Sequence, residues 1–192
     1  MTVLRIPDCD YETRSVEQIS AFLRARGIDF ARWDANATLA KDASQESVLS
    51  AYREPLDSYM KAHGYVVADV VVLHEDTPNL PAIRAKFLAE HTHSEDEVRL
   101  FVEGAGDFWF HLSRSPAEVF CVRCEQGDLI SVPAGTTHWF DCGETPFVKA
   151  IRMFVDPAGW VPNYTGSGIE QRYSPLAKGG SPVAKEAANV QP

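Results

Sequence analysis

The chain has 192 residues, enough to bury one good core, and one domain is the default at that length. Its residues are 45% hydrophobic and 23% charged, the balance of a water-soluble fold, and a formal net charge of −9 without a basic block argues against nucleic acid or an anionic membrane as partner. A small anion held by one arginine in a cleft is still allowed.

The N-terminus has no apolar signal core. The longest apolar stretch, YVVADVVVL at residues 65–73, is too short to span a bilayer and is broken by Asp69. A cytoplasmic protein is expected. Four cysteines (Cys9, Cys121, Cys124 and Cys142) are too few to staple a chain of this size and read as free thiols.

Taken in order, TVLRIP predicts an opening strand. Ser15-Val-Glu-Gln18 has the pattern of a capping box, with Ile19, Phe22 and Leu23 at helical spacing behind it and a stop at Gly27. A second helix is predicted over residues 45–63, with the stripe Leu49, Tyr52, Leu56 and Tyr59 and an end at Gly64. The N-terminal third therefore reads as mainly helical. From Tyr65 the texture changes to short apolar or alternating runs: YVVADVVVL, EVRLFVEG, GDFWFHL, EVFCVRC, DLISVPAG, THWFDCG and FVKAIRMFV. Their density leaves little room for helical crossovers and predicts a sandwich or barrel. One short helix is expected at residues 81–87. From Ser174 the chain has little to bury, so a single domain over residues 1–173 and a flexible tail over 174–192 are expected.

The chemistry concentrates in EHTHSEDEVRLFVEG, residues 90–104. On a strand, His91 and His93 point to one face, and Glu97, Arg99 and Phe101 continue that parity after a kink at residues 94–96. Two imidazoles and a carboxylate on one face suit a divalent transition metal. His138, in GDLISVPAGTTHWF, is the best further donor. Cys121 and Cys124 have C-x-x-C spacing but point to opposite faces of a strand, so they make a poor zinc or redox pair. His63, His74 and His111 are single histidines at element ends and carry no site on this reading.

The pattern H-x-H-x₃-E-x₆-G is met by His91, His93, Glu97 and Gly104, and G-x₅-P-x-G-x₂-H by Gly127, Pro133, Gly135 and His138. Together they resemble the two halves of the cupin signature. Ala85 stands where a glycine often precedes the first half and Cys142 where an asparagine often closes the second. The stretches FLAEHTHSEDEVRLFVEGAGDFWFHL, GDLISVPAGTTHWFD and IRMFVDPAGWVPNYTG are further similar to the acireductone dioxygenase family. That resemblance implies a mainly β fold, a double-stranded β-helix (cupin jelly roll) with the N-terminal helices packed alongside.

It also implies His91, His93, Glu97 and His138 as ligands of one Fe(II) or Ni(II) per chain. The implied reaction cleaves 1,2-dihydroxy-3-keto-5-methylthiopentene with O2 in methionine salvage. Fe(II) would give 4-methylthio-2-oxobutanoate and formate; Ni(II) would give 3-methylthiopropanoate, formate and carbon monoxide. Arg99, with Arg152 as second candidate, would favour the substrate dianion. Glu90 and Glu95 would act in support, as an acid orienting a histidine or as a base. Phe87, Phe140 and Trp160 would wall the pocket. A monomer is expected, with only the small substrate and O2 as partners. The alternatives are a sugar-phosphate isomerase, which should show several pocket cations, and a non-catalytic cupin that binds a metal or ligand.

Overall fold

The computed structural model describes residues 1–40, 42–113, 118–156 and 160–173; the tail expected from Ser174 lies outside them. Strand β1 (Val3–Ile6) runs through a 3₁₀ turn (Pro7–Cys9) into β2 (Tyr11–Thr13), and α1 (Val16–Arg24) follows. Ser15 Oγ accepts the Gln18 N–H at 3.3 Å, one half of the expected capping box. The reciprocal half does not form, because Thr13 at the end of β2 intervenes. Its Oγ1 donates to Gln18 Oε1 at 2.5 Å and accepts from the Ser15 N–H at 3.2 Å. Gly27 then turns the chain into β3 (Asp29–Arg32), a strand the helical reading of this third did not anticipate.

The single helix expected over residues 45–63 is two, α2 (Gln45–Ala51) and α3 (Arg53–His63), broken at Tyr52 (φ −115°, ψ 13°). Pro55 explains the break. It has no N–H for the Ala51 carbonyl, and its ring would clash with that carbonyl in a continuous helix. Gly64 ends α3 in the left-handed region, as expected.

The β region comprises β4 (Val67–His74), β5 (His91–Thr92), β6 (Glu97–Leu112), β7 (Glu118–Glu125), β8 (Asp128–Val132), β9 (His138–Asp141), β10 (Phe147–Phe154) and β11 (Asn163–Tyr164). Helix α4 (Leu80–Leu88) precedes β5, and α5 (Glu170–Tyr173) follows β11. Ala85 lies within α4 rather than before a strand.

The two sequence runs EVRLFVEG and GDFWFHL are one strand, β6, and that strand organises the fold. Its first half pairs with β10 and β8, and its second half with β7 and β9. Each half thereby belongs to a different sheet wall: β3-β8-β6-β10-β4 on one side and β2-β1-β7-β6-β9-β5-β11 on the other. The register with β10 slips by one residue opposite Lys149 and Ala150, where Glu103 and Phe101 are the partners and Val102 is extra. That bulge reverses the parity. Phe101 faces the inner core before it, Phe108 and Phe110 after it. Two glycines permit the turn of direction. A Cβ on Gly104 (φ +72°) would lie 1.7 Å from the Phe147 carbonyl oxygen, and one on Gly106 would lie 2.2 Å from the Phe140 ring.

The main core lies between the walls, built from Phe101, Phe108, Phe110, Phe120, Phe140 and their aliphatic neighbours. Helices α2 and α3 cover the outside of the first wall, where Val48, Tyr52 and Leu56 meet Val98, Leu100, Ile151 and Met153. Each fully buried aliphatic side chain there contributes about 1.5–3 kcal/mol before chain entropy is counted. The N-terminal helices thus flank the β region, leaving one end of the barrel for the site. Among the described residues no helix is long and apolar enough to cross a membrane.

Candidate metal centre

Strand β5, the start of β6 and the start of β9 meet at that open end. His91 pairs directly with His138 across the β5–β9 ladder, and a bend at Ser94 and Glu95 carries the chain round so that Glu97 enters beside them. His91, His93, Glu97 and His138 are all buried, and one potential ligand atom from each lies within 4.8 Å of the others.

The imidazole tautomers are set by the backbone. Nδ1 of His91 lies 2.7 Å from the Ala89 carbonyl, Nδ1 of His93 3.2 Å from the Val161 carbonyl, and Nδ1 of His138 2.8 Å from the Thr136 carbonyl. Each Nδ1–H can only donate there, which leaves each Nε2 as the lone-pair nitrogen in the neutral ring. Burial first, then the neighbouring His138, pushes His91 down to about 3, so it is a neutral imidazole at physiological pH.

Glu97 Oε2 is 3.0 Å from Nε2 of both His93 and His138. With both Nδ1–H groups committed to carbonyls, an anionic oxygen faces two lone pairs unless a proton or cation lies among them. Glu97 Oε1 has no hydrogen-bond partner although it is buried. It lies 2.7 Å from Arg99 Nε, but the N–H does not point at it, so this contact is an ion pair and not a hydrogen bond. Burial would raise the Glu97 carboxyl; Arg99 and the contacts with His138 and His93 outweigh it and hold the group well below the usual carboxylate range. An ionised carboxylate with an orphaned oxygen, beside three inward Nε2 atoms, fits a divalent cation. These four residues could together hold a metal ion.

A cavity of about 450 Å³ opens above this floor, within the range of small-molecule sites. Phe87 from α4, Phe140 from β9 and Trp160 form apolar walls, and Arg99 and Arg152 line it too. Arg99 is buried, its guanidinium carbon 4.6 Å from the Phe140 ring centroid and 5.7 Å from those of Phe87 and Trp160. Burial pushes its pKa below the ordinary arginine value, against the pull of Glu97 and with the push of Arg152. Arg152 is held by Asp69 through Nε at 2.7 Å and Nη2 at 2.5 Å. Trp160 donates from Nε1 to the Asp96 carbonyl at 3.0 Å.

Two expected site residues are elsewhere. Glu90 and Glu95 are not among the cavity-lining residues. Glu90 precedes His91, so strand alternation turns it outward, where it is buried and accepts from His111 Nδ1 at 2.7 Å. The histidine it orients is thus not a ligand, and His111 is not the isolated residue its place at a strand end suggested. Glu95 is half-buried and accepts the Asp156 N–H at 3.4 Å, tying the 94–96 bend to the end of β10. The sequence reading also missed Lys86, Val161 and Tyr164, which line the cavity. Lys86 had a signal, since it precedes Phe87 on a helix leading into the ligand strand. Val161 and Tyr164 had none that parity or spacing could reveal.

Residues 9–162 match the sequence profile of the ARD/ARD' family. A Picosynechococcus protein named acireductone dioxygenase is 58% identical over 155 residues, covering 81% of this chain and 87% of the relative. Another of that name, from Pseudomonas savastanoi, is 51% identical over 161 residues, covering 84% and 87%. Among solved structures, acireductone dioxygenase from Bacillus anthracis, with a cadmium ion in its active centre, is similar with a TM-score of 0.76 and 32% identity, over 85% of this chain and 98% of that one. The mainly β cupin architecture agrees with that neighbour. On the extent and identity of these matches, the chain belongs to the ARD/ARD' family.

Proposed function

We propose that the protein is a metal-dependent dioxygenase that cleaves acireductone, 1,2-dihydroxy-3-keto-5-methylthiopentene, with O2 in methionine salvage. The observation that carries this reading is the convergence of His91, His93, Glu97 and His138 on the floor of a cavity lined by Arg99 and the rings of Phe87, Phe140, Trp160 and Tyr164. These four residues would hold one Fe(II) or Ni(II) per chain, and a bound ion would supply a Lewis acid toward the enediolate oxygens.

The chain's own residues do the rest. Arg99 carries a fixed positive charge into a desolvated pocket, which favours the second ionisation of an enediol monoanion. Glu97 neutralises part of that charge, so the arginine is positioned by a ligand carboxylate rather than by a solvated acid. Arg152, anchored to Asp69, adds a second cation on the same wall. Phe87, Phe140 and Trp160 exclude water and offer an apolar surface to the methylthio end. Glu95 supports the bend that aims Glu97, and it is assigned no proton transfer.

With Fe(II) the expected products are 4-methylthio-2-oxobutanoate and formate; with Ni(II) they are 3-methylthiopropanoate, formate and carbon monoxide. The same reading expects a monomer and a cytoplasmic location, and free thiols suit the reducing compartment it implies. A sugar-phosphate isomerase is disfavoured by the relatives named acireductone dioxygenase at 58% and 51% identity rather than by the cavity, which Lys86, Arg99 and Arg152 all line. The test is oxygen consumption with synthetic acireductone, on metal-stripped protein reloaded separately with each ion, with product analysis. Turnover with ion-dependent products is expected. No turnover at stoichiometric metal would reject acireductone as the substrate.

A further inference from the structure

Residues 160–168 form a strap whose first part borders the cavity. Its first part supplies Trp160, Val161, Pro162 and Tyr164 to the cavity wall, and the Val161 carbonyl accepts from the ligand His93. Its middle pairs with the ligand strand, Asn163 opposite Thr92 and Tyr164 opposite His91. Its last part is gathered onto one buried carboxylate. Glu90 is 3% exposed and accepts from Thr165 Oγ1, from Ser167 Oγ at 2.5 Å and from His111 Nδ1 at 2.7 Å. The Glu90 carbonyl also accepts the Thr165 N–H at 3.1 Å.

Local geometry suits this grip. Gly166 and Gly168, both at φ +70°, flank Ser167 and let the chain double back so that both hydroxyls reach the same acid. His111 comes from the second half of β6, and its Nδ1 meets the other carboxylate oxygen, Oε1, while both hydroxyls meet Oε2. A buried carboxylate with three donors is well satisfied, whereas removing it would leave Nδ1–H and two hydroxyls seeking partners.

We propose that Glu90 and His111 are positioning residues, a clasp that holds the 160–168 strap beside the cavity and so fixes Trp160, Val161 and Tyr164 around the substrate. The clasp acts on the face of β5 opposite the metal centre and takes no proton from the substrate. As a statement about substrate binding it rests on the proposed function; as a statement about the strap it does not.

The test uses full-length, metal-loaded protein and two readouts. Hydrogen exchange by mass spectrometry follows residues 160–168 against the β6 and β10 peptides, and steady-state kinetics on acireductone separate KM from kcat. Glu90→Ala should speed exchange in the strap by roughly tenfold with β6 and β10 unchanged, and raise KM by roughly tenfold with kcat altered less. Because Glu90→Ala removes a buried group, the milder double variant Thr165→Val with Ser167→Ala should move both readouts the same way. His111→Asn, which keeps a donor near the Nδ1 position, should restore most of what His111→Ala loses. Unchanged strap exchange in the double variant overturns the clasp. So does a Glu90→Gln variant that abolishes kcat while strap exchange stays at the wild-type rate, because Glu90 would then act at the reacting atoms. If wild-type protein lacks turnover but the variants still loosen the strap, the proposed substrate falls and the clasp stands.

Discussion

Arg99 and Glu97 form an ion pair inside the barrel, Nε 2.7 Å from Oε1, with both side chains almost wholly buried. Two residues apart on β6, they share a face, so the residue that could donate to a metal is also the counter-charge of the arginine that lines the cavity. The pair need not be strongly stabilising, since desolvating both charges offsets their attraction. Breaking it on one side is costly. In metal-free protein, Glu97→Ala should lower unfolding free energy by about 3–5 kcal/mol, because a buried guanidinium then lacks its counter-charge. Urea denaturation checks this, and a loss below about 1 kcal/mol would mean that Arg99 finds water or another acid.

Loss of a ligand should separate metal binding from folding. His138 sits in the β6–β9 ladder opposite Phe110, so its backbone contribution survives truncation. His138→Ala should therefore keep its far-UV circular dichroism but weaken ion affinity by more than about 100-fold, beyond the 10–100-fold typical of an outer hydrogen-bond partner. Competition with a chelator of known affinity gives the number. A variant that retains the ion as tightly as the parent would remove His138 from the ligand set.

Three of the four clustered residues were legible because they lie close in sequence and strand alternation is strict, whereas His138 came from the separate G-x₅-P-x-G-x₂-H pattern. His91 and His93 needed only the two-residue period, and Glu97 only a kink of the right length. The course of β6 was not legible in the same way. Its bulge near Val102 reverses which residues face inward, and that slip is set by β10, almost fifty residues away. The break at Tyr52 could have been read from Pro55, which the apolar stripe overshadowed. The grip of His111 on Glu90 could not, since it joins two elements whose proximity only the closed barrel creates.

That reversal gives Gly104 a role that Gly135 does not share. Both adopt positive φ, +72° and +75°, but a Cβ at Gly104 would strike the Phe147 carbonyl at 1.7 Å while one at Gly135 meets nothing within 4 Å. Gly135→Ala should therefore cost only the left-handed backbone penalty, about 1–2 kcal/mol. Gly104→Ala must also move β10 away from β6, and a loss above about 3 kcal/mol is expected. For a chain of this size each kcal/mol shifts Tm by about 2–4 °C. Equal shifts for the two variants would show that the β6–β10 contact yields easily.

The cysteines offer a test of the core itself. Cys121 packs with Trp109 and Trp139 on the outer face of its wall, whereas Cys124 lies in the inner core, so their shared strand separates them as alternation requires. Burial pushes both thiols well above the ordinary range and Cys142 up as well. A raised thiol pKa keeps the group protonated near neutral pH, and only the thiolate reacts quickly. Cys9 is exposed on the 3₁₀ turn. Of the four thiols, Cys9 alone should react promptly with a disulfide reagent at pH 8 in the native protein. The other three should follow at the rate of global opening and all react in denaturant. Prompt reaction of Cys121 or Cys124 in native protein would mean that the barrel wall opens locally, and that the pair deserves the redox reading that strand alternation argues against.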